Sequence, residues 1–168
     1  KYGSTPRLQY GFGGTVNYKK FDFGVFFSGS ALRSIMTNGI DPFQEGIAVG
    51  NRNVLKYIAD NYWSEEKQNW DAKYPRLTWQ NNSNNNREST YWLRDGSYLR
   101  LKTVEVGYTL PKSISKHALM EKCRFYFTAY NPWIFAMDSK LKGTDPEMGG
   151  SDTFPTYKQF VFGINITF

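Results

Sequence analysis

Leu8-Gln9-Tyr10-Gly11-Phe12-Gly13-Gly14-Thr15-Val16-Asn17-Tyr18, then Lys19-Lys20, then Phe21-Asp22-Phe23-Gly24-Val25-Phe26-Phe27-Ser28, is the stretch whose period decides the fold. In the first run Leu8, Tyr10, Phe12, Val16 and Tyr18 fall on one face, interrupted only by Gly14. Gln9, Gly11, Gly13, Thr15 and Asn17 fall on the other. In the second run Phe21, Phe23, Val25 and Phe27 oppose Asp22, Gly24, Phe26 and Ser28. Successive side chains of a strand point to opposite faces, so a period of two marks two strands, each with one apolar face. A connection as short as Lys19-Lys20 makes the pair a β-hairpin.

The same period returns further along. Strands are predicted at about 8–18, 21–30, 98–110, 124–130 and 160–168. In the third, Val104, Val106, Tyr108 and Leu110 alternate with Thr103, Glu105, Gly107 and Thr109, but Leu99 and Leu101 sit on the opposite phase. Either a bulge shifts the phase there or the first half of the strand projects beyond an apolar band. Pro111 stops this strand, and Lys112 to Glu121 is read as a turn with one short helix. Phe125, Phe127 and Ala129 mark the fourth strand, which Asn131-Pro132 is expected to end. Phe160, Phe162, Ile164, Ile166 and Phe168 mark the fifth. Between these lie two long connections, about 31–96 and 133–158. The first is read as irregular, with a short helix within Arg52–Trp70 from the spacing of Val54, Leu55, Ile58 and Tyr62.

Composition narrows the class. The 168 residues carry 12 Tyr and 13 Phe in a chain that is hydrophilic on average. No run approaches the ~18 consecutive apolar residues of a membrane-spanning helix. Alternating barrel strands keep average hydropathy low, so a membrane β-barrel stays open. The net charge of +6 is spread along the chain with no basic stripe or nucleic-acid motif, which argues against a nucleic-acid partner. A single Cys123 makes no internal disulfide, and with a single His117 there is no metal-ligand set.

Connection lengths run short, very long, moderate, long. Outer-membrane barrels join antiparallel strands by short periplasmic turns and long extracellular loops. With the end of the fifth strand on the periplasmic side, Lys19-Lys20 and Lys112–Glu121 become periplasmic, and 31–96 and 133–158 extracellular. Nine residues from Phe160 to Phe168, at about 3.3 Å each and tilted by about 40°, span about 23 Å, close to the ~25 Å apolar band of such barrels. A soluble β-sandwich also alternates, but it would need a second apolar layer and rarely holds loops this long. Five strands are too few to close, since the smallest barrels have about eight, so the reading is all-β: part of a large antiparallel transmembrane barrel.

Chemistry-bearing residues are sparse. His117 lies among Lys112, Lys116 and Lys122 with no orienting partner for nucleophilic catalysis, so no catalytic site is expected. Asp145, Glu147 and Asp152 are weak candidates for a structural Ca²⁺, and their spacing is not that of an EF-hand. No cofactor is otherwise expected. Trp79, Asn82, Asn84, Tyr91 and Trp92, around the tract Asn81–Asn86, are candidates for a sugar or peptide site, because aromatic faces beside amides suit such ligands. The competing reading makes the tract a solvated loop and the aromatics part of the membrane girdle.

Several segments resemble the C-terminal signature of SusC/RagA-type TonB-dependent outer-membrane transporters of Bacteroidetes. They are Trp92-Leu93-Arg94-Asp95-Gly96-Ser97-Tyr98-Leu99-Arg100-Leu101-Lys102, continuing through Val104-Glu105-Val106-Gly107-Tyr108-Thr109-Leu110-Pro111, then Arg124-Phe125-Tyr126-Phe127, Asn131-Pro132 (where the family often shows Asn-Leu), Asp145-Pro146-Glu147 and Phe162-Gly163-Ile164-Asn165-Ile166-Thr167-Phe168. Tyr74-Pro75-Arg76-Leu77 resembles the family too. The resemblance implies a 22-stranded barrel in the Gram-negative outer membrane, of which these are the last five strands. It implies a plug and TonB-contacting segment upstream, and TonB-powered import of oligosaccharides or peptides. It also implies a SusD-like surface lipoprotein as partner, contact with outer-membrane lipids, and reading of Phe160, Phe162, Ile164, Ile166 and Phe168 by the barrel-insertion machinery as an assembly signal. The alternative is a non-transporting structural or adhesin barrel.

The parity of the loops is open to test on intact cells. A cysteine placed by Asn84→Cys should react with an impermeant maleimide from outside, and one placed by Lys116→Cys should not. The reverse pattern inverts the topology.

Overall fold

The computed structural model describes residues 2–38, 54, 56–80, 82–138, 141, 145–147 and 156–168. Along the chain lie β1 (Leu8–Tyr18), β2 (Phe21–Ala31), β3 (Ser34–Met36), α1 (Lys56–Ala59), β4 (Leu93–Asp95), β5 (Tyr98–Thr109), α2 (Lys112–Ser115), a 3₁₀ turn at Lys116–Ala118, β6 (Lys122–Ala136) and β7 (Gln159–Thr167). They divide into two compact units. One comprises 8–30, 98–135 and 156–168; the other comprises 1–7, 31–97 and 136–155.

The first unit is a single five-stranded sheet in the order β1-β2-β5-β6-β7. Neighbours in space are neighbours in sequence, with β3 and β4 set aside in the long insertion. The β2–β5 and β6–β7 pairs are antiparallel. The β1–β2 connection is the two residues Lys19-Lys20, with Lys19 at φ 56°. A positive φ in a two-residue loop gives the turn the twist its flanking strands need.

The register of β2 with β5 settles the phase question. Val25 pairs with Val104 and Phe26 with Thr103, but Phe27 pairs with Leu101. Lys102 is the extra residue of a bulge. One extra residue flips the alternation, so Leu101 and Leu99, opposite Phe27 and Gly29, join Val104, Val106 and Tyr108 on one face. Without the bulge, both leucines would face the polar side.

That face is apolar and bare. Phe12, Val16, Tyr18, Phe21, Phe23, Val106, Phe125, Phe162, Ile164 and Ile166 all lie exposed, Phe162 at 81%. Phe12 stacks on Phe27 at 5.2 Å and Phe127 tilts against Phe162 at 4.7 Å, so the rings contact along the surface rather than beneath it. Leaving such a side chain in water rather than an apolar setting forgoes about 1.5–3 kcal/mol. With about half of each side chain open, ten of them together are comparable to the ~5–15 kcal/mol net stability of an ordinary domain. Among the described residues of this unit no second sheet covers them.

β6 is longer than the predicted 124–130. It begins at Lys122 and continues through Asn131-Pro132 to Ala136. Two local facts permit this. Asn131 takes φ 50°, in the left-handed region that Asn tolerates better than most residues. Pro132 lies past the last β6–β7 pair, Tyr130↔Gln159, where its missing N–H costs no ladder bond on that side. Fifteen residues at the same tilt cover about 38 Å, so this strand outruns the ~25 Å apolar band. At the opposite end Pro111 stops β5, and α2 with the 3₁₀ turn returns the chain to β6, closed by Leu119 at φ 55°.

The second unit replaces the irregular reading of 31–96 with a packed one. β3 pairs with β4, Ile35 opposite Arg94. Ile58, Tyr74 and Trp92 form a buried cluster, with Val54, Tyr62 and Leu77 against it. The helix foreseen in Arg52–Trp70 is the single turn α1. Thr37 ties this cluster to β3: its N–H and its hydroxyl both donate to the carbonyl of Trp92, at 3.0 and 2.9 Å. Arg33 donates from Nε to the Ser4 carbonyl at 2.8 Å and from Nη1 to that of Pro146 at 2.7 Å, joining three distant segments.

Removing the largest ring from this core, by Trp92→Ala in the full-length protein, should cost the unit about 3–5 kcal/mol. New protease cleavage between residues 54 and 92 is expected, with the heat resistance of the five-stranded sheet unchanged. Undiminished protection of that segment would mean that Trp92 does not hold it together.

Candidate functional site

The other face of the sheet is the more polar one, with the exposed Phe26 as its large apolar exception. Its residues are the second phase of each alternation: Asp22, Gly24, Phe26 and Ser28 of β2 lie opposite Gly107, Glu105, Thr103 and Arg100 of β5. On β6, Arg124, Tyr126 and Thr128 lie opposite Asn165, Gly163 and Val161 of β7. A concavity of about 740 Å³ is lined by Asn17, Lys20, Asp22, Thr103, Glu105 and Arg124, among others.

Its centre is an ion network across three strands. Arg124 Nε donates to Asp22 Oδ1 at 3.0 Å, and its Nη2 donates to Asp22 Oδ2 and, at 2.6 Å, to Glu105 Oε1. Glu105 Oε2 accepts from Thr128 Oγ1 at 3.1 Å. Arg124 reaches Asp22 across β5 because residue 107 is glycine: a Cβ there would collide with both side chains. The guanidinium also lies 5.3 Å from the Tyr126 ring, and Tyr126 occupies the space a Cβ on Gly163 would need. Every carboxylate oxygen of the pair has a donor. Such a network makes a preorganised charged wall, and it presents neither an activated nucleophile nor a free general base.

Sequence reading placed Asp22 and Glu105 on the polar phase but did not single them out, and it missed Arg124 and Thr128 as partners. Period two shows which residues share a face. It does not show which strands adjoin, and the cluster spans 102 residues of sequence between Asp22 and Arg124.

The loop candidates divide. Trp92 is 2% exposed and belongs to the core, with its Nε1 donating to the Asn85 carbonyl at 2.7 Å, so it offers no open face to a ligand. That corrects its reading as a platform. Trp79 is open, at 72%. Tyr91 is half-exposed, packs edge-on against Trp92 at 5.0 Å and donates to the Lys73 carbonyl at 2.9 Å. Desolvation moves its phenol above the ordinary value. Asn82 is held in its own turn, Oδ1 accepting from the Asn85 N–H at 3.3 Å, whereas Asn84 is exposed. Asp145 Oδ1 accepts from the Glu147 N–H at 3.0 Å; Asp152 lies outside the described residues, as does Asn81. His117 is exposed, its Nδ1 2.6 Å from the Ser113 carbonyl. Phe160, Phe162, Ile164 and Ile166 of β7 and the adjoining Phe168 are all exposed.

Arg124→Met should leave two neighbouring carboxylates unpartnered. With the site partly open to solvent, the expected loss is about 1–3 kcal/mol, the range for a charged hydrogen bond. It should be read as a lower unfolding temperature of the barrel, largely restored in the Arg124→Met/Asp22→Asn double variant. Simple additivity of the two single losses would show that the pair is not coupled.

No protein-family profile matches the chain. Among curated proteins, the TonB-dependent receptor P3 of Formosa agariphila (strain DSM 15362 / KCTC 12365 / LMG 23005 / KMM 3901 / M-2Alg 35-1) is 27% identical across 98% of this chain, and the TonB-dependent receptor P26 of the same strain is 25% identical across 97%. The chain spans about a sixth of each: 16% and 17%. Among solved structures, that of the RagAB peptide transporter superposes with a TM-score of 0.72 at 27% identity, over 99% of this chain and 18% of that one. The RagAB peptide importer in its 'open-open' state gives 0.69 at 26%, over the same shares. By sequence and by fold alike, the chain is similar to a segment of proteins named as TonB-dependent receptors and of the RagAB peptide transporter.

Proposed function

We propose that the protein to which this segment belongs is a TonB-dependent outer-membrane transporter that carries peptides or oligosaccharides into the periplasm, together with a SusD-like surface lipoprotein. The observation that carries the reading is the two-faced sheet: bare aromatic and aliphatic side chains on one side, a closed charge network on the other. A bilayer requires the first face, and a polar lumen requires the second. The relatives' names supply the coupling to TonB, and the likeness to a peptide transporter favours peptides as the first substrate class to test. Contacts to outer-membrane lipids belong to the apolar face. The insertion machinery would read the exposed β7 residues Phe160, Phe162, Ile164 and Ile166 together with Phe168. Within the loop unit, Trp79, Asn84 and Tyr91 are the proposed substrate contacts, and Asn82 supports their turn.

Two measurements test this. Uptake of a labelled oligopeptide mixture, or failing that an oligosaccharide mixture, should vanish when the gene is deleted and when a protonophore collapses the gradient. Uptake that survives loss of the gradient would leave the non-transporting barrel as the better reading. Trp79→Ala and Tyr91→Ala should each remove about 1 kcal/mol or more of substrate binding. The half-saturating concentration would then rise roughly fivefold or more at an unchanged amount of protein on the cell surface. Unchanged uptake in both variants would leave these rings no part in binding.

A further inference from the structure

At the Lys19-Lys20 end of the sheet, the apolar face finishes in rings. Tyr18 and Phe21 are exposed, Phe21 packs on Tyr108 at 4.7 Å, and Phe168 is exposed beside the end of β7. Hydrogen bonds hold the two turns beyond them against this rim: the Thr109 N–H donates to the Lys20 carbonyl and the Glu121 N–H to that of Thr167, both at 2.8 Å. On those turns Lys19, Lys20, Lys112 and Lys116 are exposed; Lys19 and Lys20 also border the polar concavity, and the Lys19 Nζ stands 5.2 Å from the Tyr18 ring centroid on the apolar side. Between the lysines the turn also exposes two large aliphatic side chains, Ile114 at 56% and Leu119 at 88%. Leu119 is fixed there by the left-handed cap of the 3₁₀ turn. Lys122 is set aside, because its pairing with Thr167 puts it in phase with Arg124 on the polar face.

A solvated turn needs lysines but has no use for a bare Leu119 and Ile114. Apolar side chains flanked by lysines, next to a row of rings, match the boundary layer of a bilayer. Rings sit at headgroup level, lysine ammonium groups meet the phosphates, and aliphatic side chains on the adjoining turn rest in the interface rather than in water. Within this turn only the carboxylate of Glu121 opposes the lysines, so the charge complement is anionic. We infer that the Lys19 and Lys112–Leu119 turns form a binding rim for anionic phospholipid headgroups in the leaflet that borders this end of the barrel. The inference rests on the membrane-spanning reading proposed above and adds to it a lipid class and the residues that select it.

The test uses the full-length protein reconstituted in nanodiscs of phosphatidylglycerol and phosphatidylcholine in equal parts, with retained lipid measured by mass spectrometry after detergent dilution. The wild type should retain phosphatidylglycerol in excess, and 1 M salt should reduce that excess. Each lysine near an anionic surface is worth about fivefold in affinity. The triple variant Lys19→Gln/Lys112→Gln/Lys116→Gln should therefore lose most of the preference, by roughly tenfold or more. Ile114→Ser/Leu119→Ser should weaken retention of both lipids while leaving the preference in place. Equal retention of the two lipids by a wild type that inserts, or an unchanged preference in the triple variant, overturns the inference and leaves the barrel reading intact. Salt-sensitive capture of polyglutamate without any lipid preference would also overturn it, and would assign the patch to an acidic protein partner. Failure of the wild type to enter nanodiscs at all would instead sink the membrane reading on which it rests.

Discussion

The pairing of β2 with β5 is the constraint on which the rest of the sheet depends. It joins strands separated by more than sixty residues and carries the bulge at Lys102. A bulge of one residue is a small departure, yet it decides which of two chemistries each later side chain meets. It sends Leu99 and Leu101 to the apolar face and keeps Glu105 and Gly107 opposite Gly24 and Asp22. The Asp22–Arg124–Glu105 cluster exists only in this register, because Arg124 must cross β5 at the one residue without a Cβ.

The two faces then impose opposite demands. In the membrane-spanning reading proposed above, every strand must satisfy its backbone within the sheet, since a bilayer offers no water to do so. The outward side chains need only be apolar, and the sequence fills them with rings and branched aliphatics that contact along the surface. The inward ones must be satisfied in pairs. Arg124, shared between two carboxylates and backed by Thr128, does this without leaving a carboxylate oxygen unmatched. The polar wall is therefore preorganised, each charge held by its partners before anything meets it.

The long insertion is organised differently. Its core of Ile58, Tyr74 and Trp92 gathers one residue from each of three well-separated stretches. Between them the backbone is held by local turns such as that at Asn82–Asn86 and by single donors such as Arg33. Among its described residues no element is long enough to show a short-range period: α1 has four residues and β3 and β4 have three each. Burial therefore sorts its aromatics in a way that composition does not, taking Trp92 inside and leaving Trp79 out.

Read alone, the sequence determined the five strands of the larger sheet, the phase of all but the 98–110 run, most of their ends to within one or two residues, and the alternation of short and long connections; the short pair β3–β4 it did not show. Period two is a local property, enforced by the geometry of each residue and its neighbour, so it survives in the one-dimensional pattern. The 98–110 run already signalled a choice between bulge and projection through the misplaced Leu99 and Leu101. Only the tertiary structure decided that it was a bulge, that β6 runs on past Asn131-Pro132, that Trp92 is core, and that Asp22 meets Arg124. Each of those depends on what lies across from a residue rather than beside it: a ladder partner, a missing Cβ, or a covering side chain. Such contacts join residues tens of positions apart, and no local pattern in the chain records them.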